Sequence, residues 1–155
     1  MKKAIIGIGL IFAAGLTFAF TNLDDQKVPQ AVKDAFSEKF PTAKKVDWEK
    51  ENDQEWEAEF KLNKVEYSAN FLADGTWKET EHEISETEVP QQILSSLKSN
   101  FPDYEIEEVE MSEKNEGTFY EFEIEKGKDE WDVTMDSNGK VLKKQKEDEE
   151  DEDED

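Results

Sequence analysis

The sequence predicts an α+β fold of two tandem repeats, each one helix packed on a four-stranded antiparallel sheet whose other face stays open to solvent. Three observations predict it. A hairpin pattern occurs twice: Trp56, Ala58 and Phe60 followed by Tyr67, Ala69 and Phe71, and then, 64 residues later, Tyr120, Phe122 and Ile124 followed by Trp131, Val133 and Met135. Side chains on a strand alternate between faces, so each copy has one apolar and one charged side. A helical spacing precedes each hairpin: Val32, Phe36 and Phe40-Pro41 return 61 residues on as Ile93, Leu97 and Phe101-Pro102. Each hairpin is then followed by a glycine turn, Ala73-Asp74-Gly75 or Ser137-Asn138-Gly139, suited to a three-residue loop with a left-handed glycine. Self-similarity at such a period marks one structural unit used twice.

In chain order, Lys2 and Lys3 precede an apolar run from Ala4 to Phe20 that ends in Thr17-Phe18-Ala19. A basic end, an apolar stretch and small residues form the layout of a secretory signal, so residues 1–20 are expected to be a signal peptide. The run is also at the short limit of a membrane span, which leaves an uncleaved anchor as the alternative. The first repeat is placed at 21–84 and the second at 85–146. In each, Val-Pro opens the helix, with Pro29 and Pro90 expected in the first turn, where a missing N–H costs nothing. A short strand follows, carrying Val46 and Trp48 in one repeat and Val109 and Met111 in the other. Two-residue turns at Asn63-Lys64 and Gly127-Lys128 then set the hairpin registers: Phe60 faces Tyr67, Ala58 faces Ala69, Trp56 faces Phe71, and likewise Ile124 faces Trp131, Phe122 faces Val133, Tyr120 faces Met135. A slip of one residue would turn every apolar pair to the wrong face. The glycine turns bring Trp77 opposite Phe71 and Val141 opposite Met135. Residues 147–155 are all acidic and are expected to be a disordered tail.

Composition narrows the function. The formal charge is -22 over the whole chain. Without Lys2, Lys3 and the nine tail acids the body still carries about -15. With lysine but no arginine and this excess of acid, nucleic acid is excluded as a partner, and a membrane enters only through an uncleaved N-terminal segment. There is no cysteine, so neither disulfides nor thiol chemistry are available. No Ser/His/Asp set, phosphate-binding glycine loop or paired metal-ligand histidines occur, and no enzyme or cofactor is expected.

The candidate site lies on the open faces. In the first repeat that face is expected to be close to neutral, with Lys61 opposite Glu66, Glu59 opposite Ser68 and Glu57 opposite Asn70. In the second, Glu123 falls opposite Asp132 and Glu125 opposite Glu130, with Glu121 beside them. Like charges directly across a ladder are destabilising, so such a cluster is either a solvated surface or a site for something cationic. The expected binding residues are Glu121, Glu123, Glu125, Glu130 and Asp132. His82, the only histidine, reads as a surface residue among acids, and Asp136-Ser137-Asn138-Gly139 as turn chemistry rather than a calcium loop. The four tryptophans all take apolar-face positions and read as core.

The phrases Val28-Pro29, Phe40-Pro41, Val46-Asp47-Trp48, Trp56-Glu57-Ala58-Glu59-Phe60, and Phe71 with Asp74-Gly75 and Trp77 resemble the PepSY-like family, which is also described as similar to the beta-lactamase inhibitor protein. The resemblance runs from Val28 to about Lys146 and is looser in the second repeat. It implies an exported bacterial protein whose sheets form a binding surface; that inhibitor grips an enzyme, and PepSY domains are associated with restraining secreted peptidases. The absence of cysteine departs from the disulfide-bearing inhibitor. The expectation is therefore a non-catalytic, periplasmic or secreted binding module, an inhibitor or regulator that meets the basic surface of an exported protein. The alternative is a weak divalent-cation (calcium) binder or buffer using the same carboxylates and the tail.

Overall fold

The computed structural model describes residues 27–146. The expected signal segment and acidic tail lie outside them. Helix α1 (Gln30–Lys39) is followed by strands β1 (Lys44–Lys50), β2 (Glu55–Leu62), β3 (Val65–Leu72) and β4 (Trp77–Glu83), then helix α2 (Gln91–Asn100) by β5 (Glu105–Lys114), β6 (Gly117–Lys126), β7 (Asp129–Asp136) and β8 (Val141–Lys146). No helix among the described residues is long and apolar enough to cross a membrane.

Both helices begin one residue after a proline rather than on it. Pro29 is the residue before α1, and its carbonyl accepts hydrogen bonds from the N–H groups of Val32 and Lys33; Pro90 does the same for Ile93 and Leu94. Proline suits this position because it lacks an N–H while its carbonyl is free to start the ladder. Each helix ends at a Phe-Pro pair, with the Phe40 N–H donated to Phe36 and the Phe101 N–H to Leu97. A following proline cannot continue the hydrogen-bonded spiral.

The hairpin registers are those the alternation demands. Phe60 pairs with Tyr67, Ala58 with Ala69 and Trp56 with Phe71; Ile124 pairs with Trp131, Phe122 with Val133 and Tyr120 with Met135. Trp77 lies opposite Phe71 and Val141 opposite Met135. Asn63 and Lys64 both have positive φ, the backbone that matches a two-residue turn to the twist of its strands. In the longer turns Gly75 and Gly139 sit at φ +89° and +81°, and each donates its N–H back across the loop, to Leu72 and Asp136.

Two cores result, one under each helix. Val32 and Phe36 of α1 pack with Trp48, Trp56, Ala58, Phe60, Ala69 and Phe71, while Ile93, Leu94 and Leu97 of α2 pack with Val109, Tyr120, Phe122, Ile124, Val133 and Met135. Trp77 and Trp131 are only partly buried, each with a lysine ammonium over its ring.

The sheet departs from the expectation of two four-stranded sheets. It is a single eight-stranded antiparallel sheet in sequential order, because β4 pairs with β5. Strand β5 is ten residues long against seven for β1, and its far end, Glu110 to Lys114, lies along Glu83 to Glu79. A register irregularity between Ile106 and Glu108 interrupts the apolar alternation of β5. Both helices pack on the same side, since the row His82, Met111, Tyr120, Met135 continues from the β4 side of the first core to the second. Among the described residues only the outer strands β1 and β8 leave edges, and both are lysine-bearing, which discourages pairing with another chain.

Candidate functional site: an acidic face centred on the β4–β5 seam

The face opposite the helices is built from the alternate residues of all eight strands, and its chemistry follows from register. Three rows of carboxylates cross neighbouring strands: Glu83, Glu110 and Glu121; Glu108, Glu123 and Asp132; Glu105, Glu125 and Glu130. The five expected residues, Glu121, Glu123, Glu125, Glu130 and Asp132, therefore share this face and pair as the alternation requires. Each is half-buried.

The first half of the face is not neutral, contrary to expectation. Lys61 and Glu66 do form an ion pair. Strand β1, however, sets Asp47 opposite Glu59 and Glu49 opposite Glu57. Burial, followed by repulsion from Glu51, Glu59 and Glu49, pushes the Glu57 carboxyl up to about 7.

The most deeply set acids lie at the seam between the halves. Glu81 on β4 is 5 % exposed and faces Ser112, which is fully buried; Glu110 on β5 is 9 % exposed and lies between Glu83 and Glu121. Burial first, then neighbouring carboxylates, pushes both Glu81 and Glu110 up to about 8. Glu121 is also raised by burial, against the pull of Lys114. The ammonium of Lys114 stands 2.6 Å from Glu79 and 3.8 Å from Glu121. Burial works against its charge, but the hydrogen bond and attraction of Glu79 prevail and raise its pKa. Further out, burial and like neighbours raise Glu108 and Glu123, burial raises Asp132 against the pull of Lys143, and Glu125 is raised chiefly by Glu107. Oxygens of Glu105, Glu107 and Glu125 come within 4.8 Å of one another, the spacing a small cation could bridge.

Sequence reasoning placed Glu57 opposite Asn70, as observed, but not beside Glu49, and it missed Glu79, Glu81, Glu110, Ser112 and Lys114 as parts of the site. Glu79, Glu81 and Glu83 alternate visibly, but only the pairing of β4 with β5 reveals what they face. His82 is not a simple surface residue either: its ring stacks on Tyr67 at 4.4 Å between centroids, and burial lowers its pKa. Asp136 is turn chemistry as expected, its Oδ1 accepting the N–H groups of Asn138 and Lys140.

The family model described as "Putative beta-lactamase-inhibitor-like, PepSY-like" matches residues 18–68 and 56–143. Among solved structures, the fold is similar to one titled a "putative periplasmic" protein from Bacteroides eggerthii (20% identity, 77% of this chain and 88% of that one, TM-score 0.70). It is also similar to a DUF2874 family protein from Bacteroides ovatus (19% identity, 76% and 86% covered, TM-score 0.69). A BLIP-like protein from Bacteroides fragilis is similar too (23% identity, 76% and 86% covered, TM-score 0.67). Among curated proteins none matches. The two matched segments together span most of the chain, which therefore belongs to the beta-lactamase-inhibitor-like, PepSY-like family.

Proposed function

We propose that this protein is a non-catalytic binding module working in the periplasm or outside the cell, an inhibitor or regulator of an exported protein that it meets through its acidic sheet face. The single observation that carries this is the set of three-strand carboxylate rows on the face opposite α1 and α2. Like charges directly across a ladder cost stability, and a complementary basic surface would turn that cost into attraction. Export is supported by the basic-then-apolar N-terminus and by the printed description of the Bacteroides eggerthii neighbour. The name of the Bacteroides fragilis neighbour agrees with an inhibitor-like use of the fold, though a fold alone carries no activity. The test is affinity capture of exported proteins from the source culture on wild-type protein and on Glu123→Lys/Asp132→Lys, at low and high salt. The reading expects a basic partner that is lost from the variant and eluted by salt. A partner held equally by both proteins refutes this face as the contact.

A second reading, binding of a divalent cation such as calcium, has one observation in its favour: the convergence of Glu105, Glu107 and Glu125. Calcium takes about six to eight oxygens, so an exposed trio would hold it weakly. Calorimetry with calcium chloride at about millimolar concentration, together with the melting temperature, decides it; absence of both heat and shift removes the reading.

A further inference from the structure

Strands β3 and β4 pair from Phe71 and Trp77 as far as Ser68 and Glu81, and there the pairing stops although both strands run on. The next pair in that register would be Glu66 with Glu83, and alternation turns the backbone of each toward the other strand. The Ala73 N–H is donated to Gln54, so the odd-numbered residues of β3 bond to β2, while Glu66 and Ser68 present their N–H and C=O groups to β4. The Ile84 N–H is donated to Val109, so His82 and Ile84 bond to β5, while Glu81 and Glu83 present theirs to β3. Ser68 and Glu81 meet; Glu66 and Glu83 do not. Beyond Ser68 the two strands stay with their other neighbours, β2 and β5, and an open cleft of about 610 Å³ lies between them, lined by residues 64–68 on one side and 81–85 on the other. It is a stretch of unpaired strand edge inside the sheet.

Glu81 stands at the closed end of this cleft, 5 % exposed, and its Oε1 has no hydrogen-bond partner. Ser112, directly across from it on β5, is fully buried and its Oγ has none either. A buried polar atom left unpaired costs stability, and a group that brings donors to it removes that cost. Glu110 lines the same cleft. At the mouth, Val65 is one of two large hydrophobic residues left exposed among those described, and Ile84 lines the opposite side. Unpaired backbone on both walls, an exposed valine at the mouth and an unsatisfied acid at the closed end make a slot for polypeptide in extended form, held as an added strand is held. Such a strand cannot run through, because the Ser68–Glu81 pair closes the slot; the chain has to end there. The end that suits Glu81 and Glu110 is the amino end, which brings donors and positive charge, whereas a terminal carboxylate would be repelled. We propose that the cleft between β3 and β4 takes the free amino end of an extended polypeptide of the partner, its backbone bonded to Glu66 and Glu83 and its terminal ammonium meeting Glu81. The inference rests on the reading of this protein as a binding module and deepens it by naming the part of the partner that is taken. The cleft is separate from Glu123 and Asp132, neither of which lines it.

The test is titration of the nitrogen-15-labelled full chain with a pentapeptide amide of alternating valine and threonine, strand-forming residues, once with its amino end free and once acetylated. The expected result is that the free peptide binds, shifts the backbone amide signals of Glu66 and Glu83 and slows their hydrogen exchange, while acetylation weakens binding by about tenfold or more. Glu81→Gln should weaken the free peptide and leave the acetylated one unchanged. Glu123→Lys/Asp132→Lys should bind the free peptide as wild-type protein does. Equal binding of the acetylated peptide overturns the choice of the amino end. Binding that leaves the Glu66 and Glu83 amides unmoved overturns the cleft as the place. No binding of the free peptide overturns the inference and leaves docking through Glu123 and Asp132 standing, since affinity capture tests that contact on its own. The wild-type comparison of the two peptides decides the matter even if a variant does not fold.

Discussion

Under α1 the core is aromatic: the Phe36 ring meets Trp48, Phe60 and Phe71 edge-on, with centroids 5.0–6.2 Å apart. Under α2 the equivalent position is Leu97, packed with Ile93, Leu94, Ile124 and Met135. The two halves thus bury the same alternating face with different materials, and the layout survives because period and register matter more than residue identity. Their charged faces differ in the opposite way. Each half carries half-buried acids of its own, Glu57 in the first and Glu123 with Asp132 in the second, but the acids that are buried, Glu81 and Glu110, lie where β4 joins β5. The join therefore has properties that neither half has alone.

Breaking the cores should show the largest effect. Phe36→Ala should cost about 3–5 kcal/mol and Leu97→Ala about 2–4 kcal/mol, measured by urea unfolding. Because the sheet is continuous, each variant should shift one transition for the whole protein; two separated transitions would show that the halves fold independently. The turns come next. A Cβ at Gly75 would lie 2.6 Å from the Ala31 carbonyl oxygen, backbone that cannot step aside, whereas at Gly139 it would meet the Ser96 Cβ at 3.2 Å. Both glycines have positive φ, so Gly75→Ala should cost about 2–3 kcal/mol and Gly139→Ala about 1–2 kcal/mol.

The seam gives an effect of opposite sign. Glu81 and Glu110 rise from 4.5 to about 8 on folding, so the folded state binds more protons than the unfolded chain between those values. The stability this represents is fully present below the unfolded value and is lost as pH rises through about 8. The melting temperature should fall between pH 5.5 and pH 9, and Glu81→Gln or Glu110→Gln should stabilise the protein at pH 9 by roughly 1–2 kcal/mol while changing little at pH 5.5. The smallest effect belongs to the exposed ion pair of Lys98 with Glu86, 3.0 Å apart. Lys98→Ala should change stability by less than about 1 kcal/mol.

The apolar side of the fold was legible in the sequence because a half-buried hairpin must alternate, and Trp56-to-Phe71 and Tyr120-to-Met135 admit one register each. The turns were legible because Gly75 and Gly139 hold a backbone that other residues resist. The seam was not. Pairing between β4 and β5 depends on backbone hydrogen bonds that leave no mark in residue type, and the irregularity near Glu107 hides how long β5 is. For that reason Glu121, Glu123 and Asp132 could be placed on a shared face from sequence, while nothing in the sequence singled out Glu81 or Glu110. The neutral appearance of the first half failed for a related reason: Asp47 and Glu49 enter the picture only through the pairing of β1 with β2.

The central claim is that joining the halves creates buried, proton-holding carboxyls at the middle of an acidic face. Carboxyl-carbon NMR of glutamate-labelled protein, titrated from pH 3 to 10 with Glu81 and Glu110 assigned through their Gln variants, tests it most directly. The structure predicts that both titrate near 8. Titration of both at the ordinary 4.5 would contradict it, and would mean that these side chains stand in water and that the seam is no different from the rest of the surface.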